Sequence, residues 1–280
     1  MALLLLLLLA QAQPTIDGDL GDAQYSSLAV KQNTNAGFGP NIDVTEIVVY
    51  SDAQNEFVYI GVKGKLDTSN ENAIGLFLNA SGPGSATGAS AGTFLGLDPG
   101  VDLNYLDGDE DDNDDTAETG GDEFAADFEV DLAFAVDPNG STSETSLVGA
   151  QYTSSPESGV QIADSDQSGT AATGDGPNGL SIEYAFDNSG SGDTGLEMKI
   201  PFGELGATSN SSIEAFAFVA SATAFFSDVT VPGDITDGNP GFDTNFGTLS
   251  GGPFNSSTAP LPVELTAFDA QLDGQNALLS

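Results

Sequence analysis

The chain contains no cysteine, no histidine and no tryptophan. Without cysteine there is neither a disulfide nor thiol chemistry, so stability has to come from a buried core or from bound ions. The missing histidine removes the usual general base and the commonest metal ligand, and the missing tryptophan removes the best ring for stacking on a sugar. Arginine is missing too: the 4 basic residues are Lys31, Lys63, Lys65 and Lys199, against 43 Asp plus Glu, for a formal charge of −39. Such a surface repels phosphate backbones and anionic lipid, which argues against nucleic-acid and membrane-surface partners and leaves multivalent cations and basic partners. Catalysis would have to come from carboxylates alone, since a Ser or Thr nucleophile has no histidine to activate it; the expectation is a protein that is not an enzyme.

Also lacking is any stretch of twelve residues with a 3.6-residue apolar period, so little helix is expected. The one long apolar run is Leu3 to Leu9, followed by Ala10-Gln11-Ala12. It falls short of the ~20 residues that span a bilayer but suits the core of a signal peptide cleaved after Ala12, although no basic residue precedes it. Export is therefore expected, with no membrane insertion once the signal is removed. The acid excess is accompanied by an ordinary hydrophobic content of 39%. That combination fits a folded protein adapted to high salt, where self-repulsion is screened over a Debye length of ~3 Å at 1 M. The alternative is the intrinsic acidity of a secreted domain.

What is present is a series of short alternating runs. In Phe128 to Val136, the residues Phe128, Val130, Leu132, Phe134 and Val136 fall on every second position, with Glu129, Asp131, Ala133 and Ala135 between them. This predicts a strand with one buried face, stopped by Asp137-Pro138-Asn139-Gly140. Asp43 to Tyr50 and Glu56 to Lys63 predict a hairpin, the second strand directing Val58, Ile60 and Val62 to one face and Phe57, Tyr59 and Gly61 to the other. Further strands are predicted at 73–79, 145–153, 180–186, 196–200 and 213–220, with 81–92 and 164–179 as loops. Several short strands punctuated by Gly, Pro and Asp predict an all-β protein: an antiparallel β-sandwich with jelly-roll or immunoglobulin-like layers and long acidic and Gly/Ser-rich loops. The organisation expected is a signal remnant at 1–12, the sandwich at 14–254, then a spacer at 255–259 leading into the first strands of a further module through residue 280.

Three stretches carry a resemblance: Ile16-Asp17-Gly18-Asp19-Leu20-Gly21-Asp22, the strand pair Val44 to Tyr50 and Phe57 to Val62 joined through Asp52, and Gly195-Leu196-Glu197-Met198-Lys199-Ile200-Pro201-Phe202-Gly203-Glu204-Leu205-Gly206. Together they resemble family 9-type carbohydrate-binding modules and their DOMON-like relatives, which are secreted β-sandwiches. Sugar-binding members of that group stack the ligand between aromatic rings, typically tryptophans, so here Tyr and Phe would have to serve. Separately, Leu261-Pro262-Val263-Glu264-Leu265-Thr266-Ala267-Phe268 resembles the segment that precedes the sorting region of proteins exported by type IX secretion. That resemblance implies a bacterial extracellular or cell-surface protein.

One acidic run has a ligand-like spacing. Counting Asp107 as position one, Asp109, Asp111, Asn113 and Asp115 fall at three, five, seven and nine, with Glu118 at twelve. This is the oxygen spacing of a calcium loop, although Asp112 stands where such a loop has glycine. A hydrated acidic loop is the simpler reading of the same run. Asp17, Asp19 and Asp22 form a second carboxylate cluster, either folded around an ion or simply a turn before the first strand. Two functions stay open: a secreted, non-catalytic module binding polysaccharide or cell-surface glycan, and a structural surface protein that assembles with itself through sheet edges or faces.

Overall fold

Alternation of apolar and polar residues builds two hydrogen-bonded ladders. The structure, a computed structural model, describes residues 12–69, 72–81, 94–95, 124–138, 141–152, 158–221, 225–242, 244–258, 270–273 and 276–279. In chain order the strands are β1 (Ser26–Val30), β2 (Asp43–Asp52), β3 (Phe57–Lys65), β4 (Asn72–Ser81), β5 (Phe94–Leu95), β6 (Phe124–Ala125), β7 (Leu132–Asp137), β8 (Glu144–Gln151), β9 (Ser158–Asp166), β10 (Ala172–Asp175), β11 (Ser181–Phe186), β12 (Gly195–Pro201), β13 (Ser212–Ser221), β14 (Phe226–Val231), β15 (Ser256–Ser257), β16 (Ala270–Asp273) and β17 (Asn276–Leu279). A 3-10 turn at Phe246–Thr248 is the only helical element among the described residues.

The first sheet runs β1-β2-β3-β12-β11-β10 and the second β14-β13-β4-β7-β8-β9, with β15 added to β13. The pairings within both are antiparallel, so the expected all-β antiparallel sandwich is what forms. Between the sheets, Val58, Ile60 and Val62 of β3 and Leu196, Met198 and Ile200 of β12 meet Leu76 and Leu78 of β4, Phe134 and Val136 of β7, and Ala217 and Val219 of β13 in one apolar cluster. Each large aliphatic buried there contributes about 1.5–3 kcal/mol relative to exposure. Tyr184 of β11 crosses this core, and its hydroxyl lies 3.1 Å from the Ala163 carbonyl oxygen and 3.3 Å from that of Thr145, so it donates to the second sheet from the first.

The second sheet is also buried on its outer face. Phe77, Phe216, Phe218 and Phe226 project there, covered by Ala126, Phe128 and Val130 and by Ile235, Phe246 and Phe254 from the chain beyond β14. This corrects the reading of Phe128 to Val136. The strand begins at Leu132; Phe128 and Val130 belong to the outer cluster, whereas Leu132, Phe134 and Val136 belong to the core between the sheets. The chain changes face at Asp131, whose Oδ2 accepts the Ala80 N–H at 2.8 Å while its own N–H donates to Leu78 O at 2.8 Å. Ala133 and Ala135, expected on a solvent face, are buried because β7 is a central strand with a layer on each side.

Each sheet edge carries a contact from elsewhere in the chain, although β1 itself is largely exposed. Phe226 and Gly241 exchange both backbone bonds, at 3.1 and 3.2 Å, along the outer side of β14. Ser256 Oγ donates to Leu28 O of β1 at 2.9 Å, and Thr258 N donates to Ile213 O at 2.8 Å, so the sandwich reaches into the segment read as a spacer. β10 lies so close to β9 that a Cβ on Gly174 would fall 1.7 Å from Ile162 O. Residues 82–93 and 96–123, which hold most of the Gly/Ser-rich loop and the acidic loop, lie outside the described residues, as do residues 1–11 and 259–269.

Candidate functional site

The outward positions of the first sheet form rows fixed by strand register. One row is Tyr50–Tyr59–Lys199–Glu183 and the next is Val48–Gly61–Glu197–Ala185. In the first row the Tyr50 and Tyr59 rings are 5.7 Å apart and tilted by 50°. Lys199 Nζ stands 4.6 Å from the centre of the Phe57 ring and 3.6 Å from the Glu183 carboxylate. Tyr59 is buried, while Tyr50, Phe57, Lys199 and Glu183 are half-buried. Burial, helped by the nearby charges of Asp52 and Glu183, pushes the Tyr59 hydroxyl up to about 12, so it remains a neutral donor. The result is a strip of two accessible rings flanked by an ammonium and a carboxylate.

The second row carries Gly61 and Ala185, side chains small enough for a segment of chain to lie across them. Residues 14–22 do so: Leu20 sits on Gly61, where a Cβ would be 2.1 Å from Leu20 Cδ2, and Ile16 packs with Tyr59 and Ala185. The strap is hydrogen-bonded through Leu20 N to Asp193 O at 2.7 Å and Gly195 N to Gly18 O at 3.1 Å. Gly18 has φ 75° and its missing Cβ would lie 2.6 Å from Asp187 N, so only glycine fits.

Glu197 anchors the strap from below. Its side chain is fully buried; Oε2 accepts the Asp17 N–H at 3.0 Å and the Gly18 N–H at 2.9 Å, and Oε1 accepts the Tyr25 hydroxyl at 2.5 Å. Burial pushes this carboxyl up to about 7, against the opposing pull of those three hydrogen bonds. Tyr25 is raised as well, by burial and by the charge of Glu197. Glu204 does the same for a different turn. Its Oε1 accepts Asn178 N at 2.7 Å and its Oε2 accepts Leu180 N at 3.0 Å, closing the turn between β10 and β11, and burial raises its carboxyl too. The residue pattern alone points to neither role.

Asp17, Asp19 and Asp22 turn their oxygens onto local backbone. Asp19 N donates to Asp17 Oδ1 at 3.0 Å, Gly21 N to Asp19 Oδ1 at 2.9 Å and Thr15 N to Asp22 Oδ2 at 3.1 Å, which is the hydrogen bonding of a turn. Among the described residues no group of three or more Asp or Glu is arranged to hold a metal ion. Asp107, Asp109, Asp111, Asn113, Asp115 and Glu118, the sequence-predicted calcium ligands, lie outside the described residues.

No family model, curated protein or solved structure matches the chain. The site is therefore read from its own geometry. A groove of about 520 Å³ opens beside β1, lined by Lys31, Asn33, Asn35, Pro40, Asp43 and neighbours. Its polar groups build the loop: Lys31 Nζ donates to Asn35 O and Asp43 Oδ1, both at 2.6 Å, and Asn35 Nδ2 donates to Asp228 O at 3.1 Å and Ile235 O at 2.6 Å. That commitment to the fold makes the ring strip the better candidate surface.

Proposed function

We propose that the chain is a non-catalytic β-sandwich module, secreted or held at a cell surface in a saline medium, that binds polysaccharide or cell-surface glycan along the Tyr50–Phe57 strip. The observation that carries the reading is the pair of half-exposed rings beside Lys199 and Glu183 on a regular sheet face. Sugar C–H groups stack on such rings, and a flanking ammonium and carboxylate supply a donor and an acceptor for hydroxyls. Two fully buried carboxylates, Glu197 and Glu204, already accept backbone N–H groups, which supports binding over catalysis. The Gly241 bridge along the outer side of β14 favours a ligand-binding face over assembly by strand addition at that edge. The leucine run supports export, and the −39 charge supports a saline habitat.

A panel of insoluble polysaccharides in ~1 M NaCl, where surface repulsion is screened, tests this. Retention on at least one polymer is expected, with affinity falling about tenfold or more in Tyr50→Ala/Phe57→Ala. No retention on any polymer, with light scattering showing oligomers instead, would replace binding with self-assembly.

The proposal extends to calcium in the loop containing Asp107, Asp109, Asp111, Asn113, Asp115 and Glu118. Adding chelator should lower the melting temperature by several degrees, because an ion bound only to the folded state stabilises it by mass action. An unchanged temperature rules the ion out.

A further inference from the structure

We propose that Gln13 is a modification site: once the leader is cut after Ala12, the freed amine closes on its own side-chain amide to give pyroglutamate, with the Asp52 carboxylate moving the proton. The inference rests on the export reading above. Ala10-Gln11-Ala12 is the small-residue end of the leader, so the residue whose amine the cut releases is a glutamine. The amide carbon of such a residue lies within reach of its own amine through a five-membered ring. The fold fixes Gln13 where this can happen. The residue is exposed, and the anchors that hold it lie on the part of the chain that stays after the cut. Pro14 is buried, Thr15 N donates to Asp22 Oδ2 at 3.1 Å, and Ile16 and Leu20 seat the strap on Ala185 and Gly61. Losing Ala12 removes the 2.6 Å hydrogen bond from Gln24 Nε2 to its carbonyl and unpairs no strand.

The nitrogen that has to leave is already beside a proton carrier. Gln13 Nε2 donates to Oδ2 of Asp52, a residue only 6% exposed at the end of β2. The same carboxylate closes the turn into β3: Oδ1 accepts Gln54 N at 3.2 Å and Asn55 N at 3.0 Å, and Oδ2 accepts Asn55 Nδ2 at 2.7 Å. With donors directed at both oxygens, the group is an acceptor held in place by the turn. In the ring closure the Gln13 amine nitrogen bonds to Cδ and gives up a proton, the Cδ–Nε2 bond breaks, and Nε2 takes up that proton to leave as ammonia. Asp52 accepts the proton from the attacking nitrogen and passes it to Nε2, ending unchanged. No oxidant, metal or second substrate enters. The product is a neutral lactam in place of an ammonium, so an exopeptidase that grips a free amine finds none at the head of the strap.

Intact mass and terminal-peptide sequencing test this on the full chain, exported through its own leader from a host without glutaminyl cyclase and harvested cold. A protein that begins at Gln13 and loses one ammonia on warming is expected. In molar salt the folded chain should close about tenfold or more faster than the same chain in urea, where Asp52 is no longer held beside the amide. Asp52→Asn keeps an acceptor for the turn but cannot carry the proton, and should bring the folded rate down to the unfolded one. Should that variant fold poorly, the urea comparison on the wild-type chain still reads the part played by Asp52. A Gln13 that keeps its free amine, or equal rates in the folded and unfolded chain, would overturn the inference and leave export intact. A first residue other than Gln13 would overturn it too, and a chain that keeps its leader would take the export reading down with it.

Discussion

Phe216→Ala is expected to cost about 4 kcal/mol of unfolding free energy, read by denaturant titration in concentrated NaCl. The ring is fully buried in the outer cluster of the second sheet, with its centre 4.8 Å from that of Phe246, 5.7 Å from Phe218, 5.9 Å from Phe254 and 6.2 Å from Phe77. Removing it forfeits the transfer energy of the ring and leaves a void walled by rings fixed on β4 and β13. The cover formed by Phe246 and Phe254 lies outside regular strands and could sink into the void, which sets a lower limit on the loss. A loss below about 1 kcal/mol would mean that this face carries a loose cover rather than a second core.

The opposite change in the same layer should also be severe. Gly75 of β4 lies between Ala135 of β7 and Phe218 of β13, and a Cβ on it would come within 2.1 Å of Phe218 Cζ and 2.4 Å of Cε2. The Phe218 ring cannot retreat easily, because Phe77 lies 4.7 Å away and Phe226 5.0 Å away, centre to centre. Gly75→Ala should therefore cost about 3 kcal/mol, at the upper end of the usual cost of overpacking. Adding Phe218→Leu should recover part of it, since the shorter side chain vacates the space the methyl needs. A stable single variant would show that the ring does not rest on Gly75.

These two positions also explain why the fold is legible in some strands and not in others. β11 and β12 keep one apolar and one polar or small face, and β3 departs from that only by Phe57 and Tyr59, so period two is visible and points the inward residues to the core they occupy. β7 keeps its period, but the chain switches layers at Asp131, and a layer change leaves no mark on alternation. Its alanines read as solvent-facing because nothing local announces the rings of β4 and β13 that cover them. β1, β9 and β10 escape a reading by pattern because SSLAV, SGVQIADSD and ATGD are mostly polar or small, as edge strands usually are, whereas the short run FSDVTV of β14 divides Phe226 from Val229 and Val231 between two buried faces. The ring strip is half legible: alternation places Phe57 and Tyr59 together on one face, but Tyr50 and Lys199 join them only through register. Glu197 is illegible because a carboxylate among 43 reads as hydrated, and its burial depends on a strap about 180 residues away in sequence.

The scarcity of cations has one more consequence. Lys31, Lys63 and Lys199 have side chains only 9%, 13% and 25% exposed, each neutralised by a carboxylate, and Lys65 ends β3. A peptidase of the trypsin class must draw a free basic side chain into an acidic pocket, with several residues of unpaired backbone on either side. This chain has no arginine to offer, and its few lysines lie in or beside paired strands. Against peptidases of that class it would outlast neighbours of similar folding stability because their cutting sites are so few.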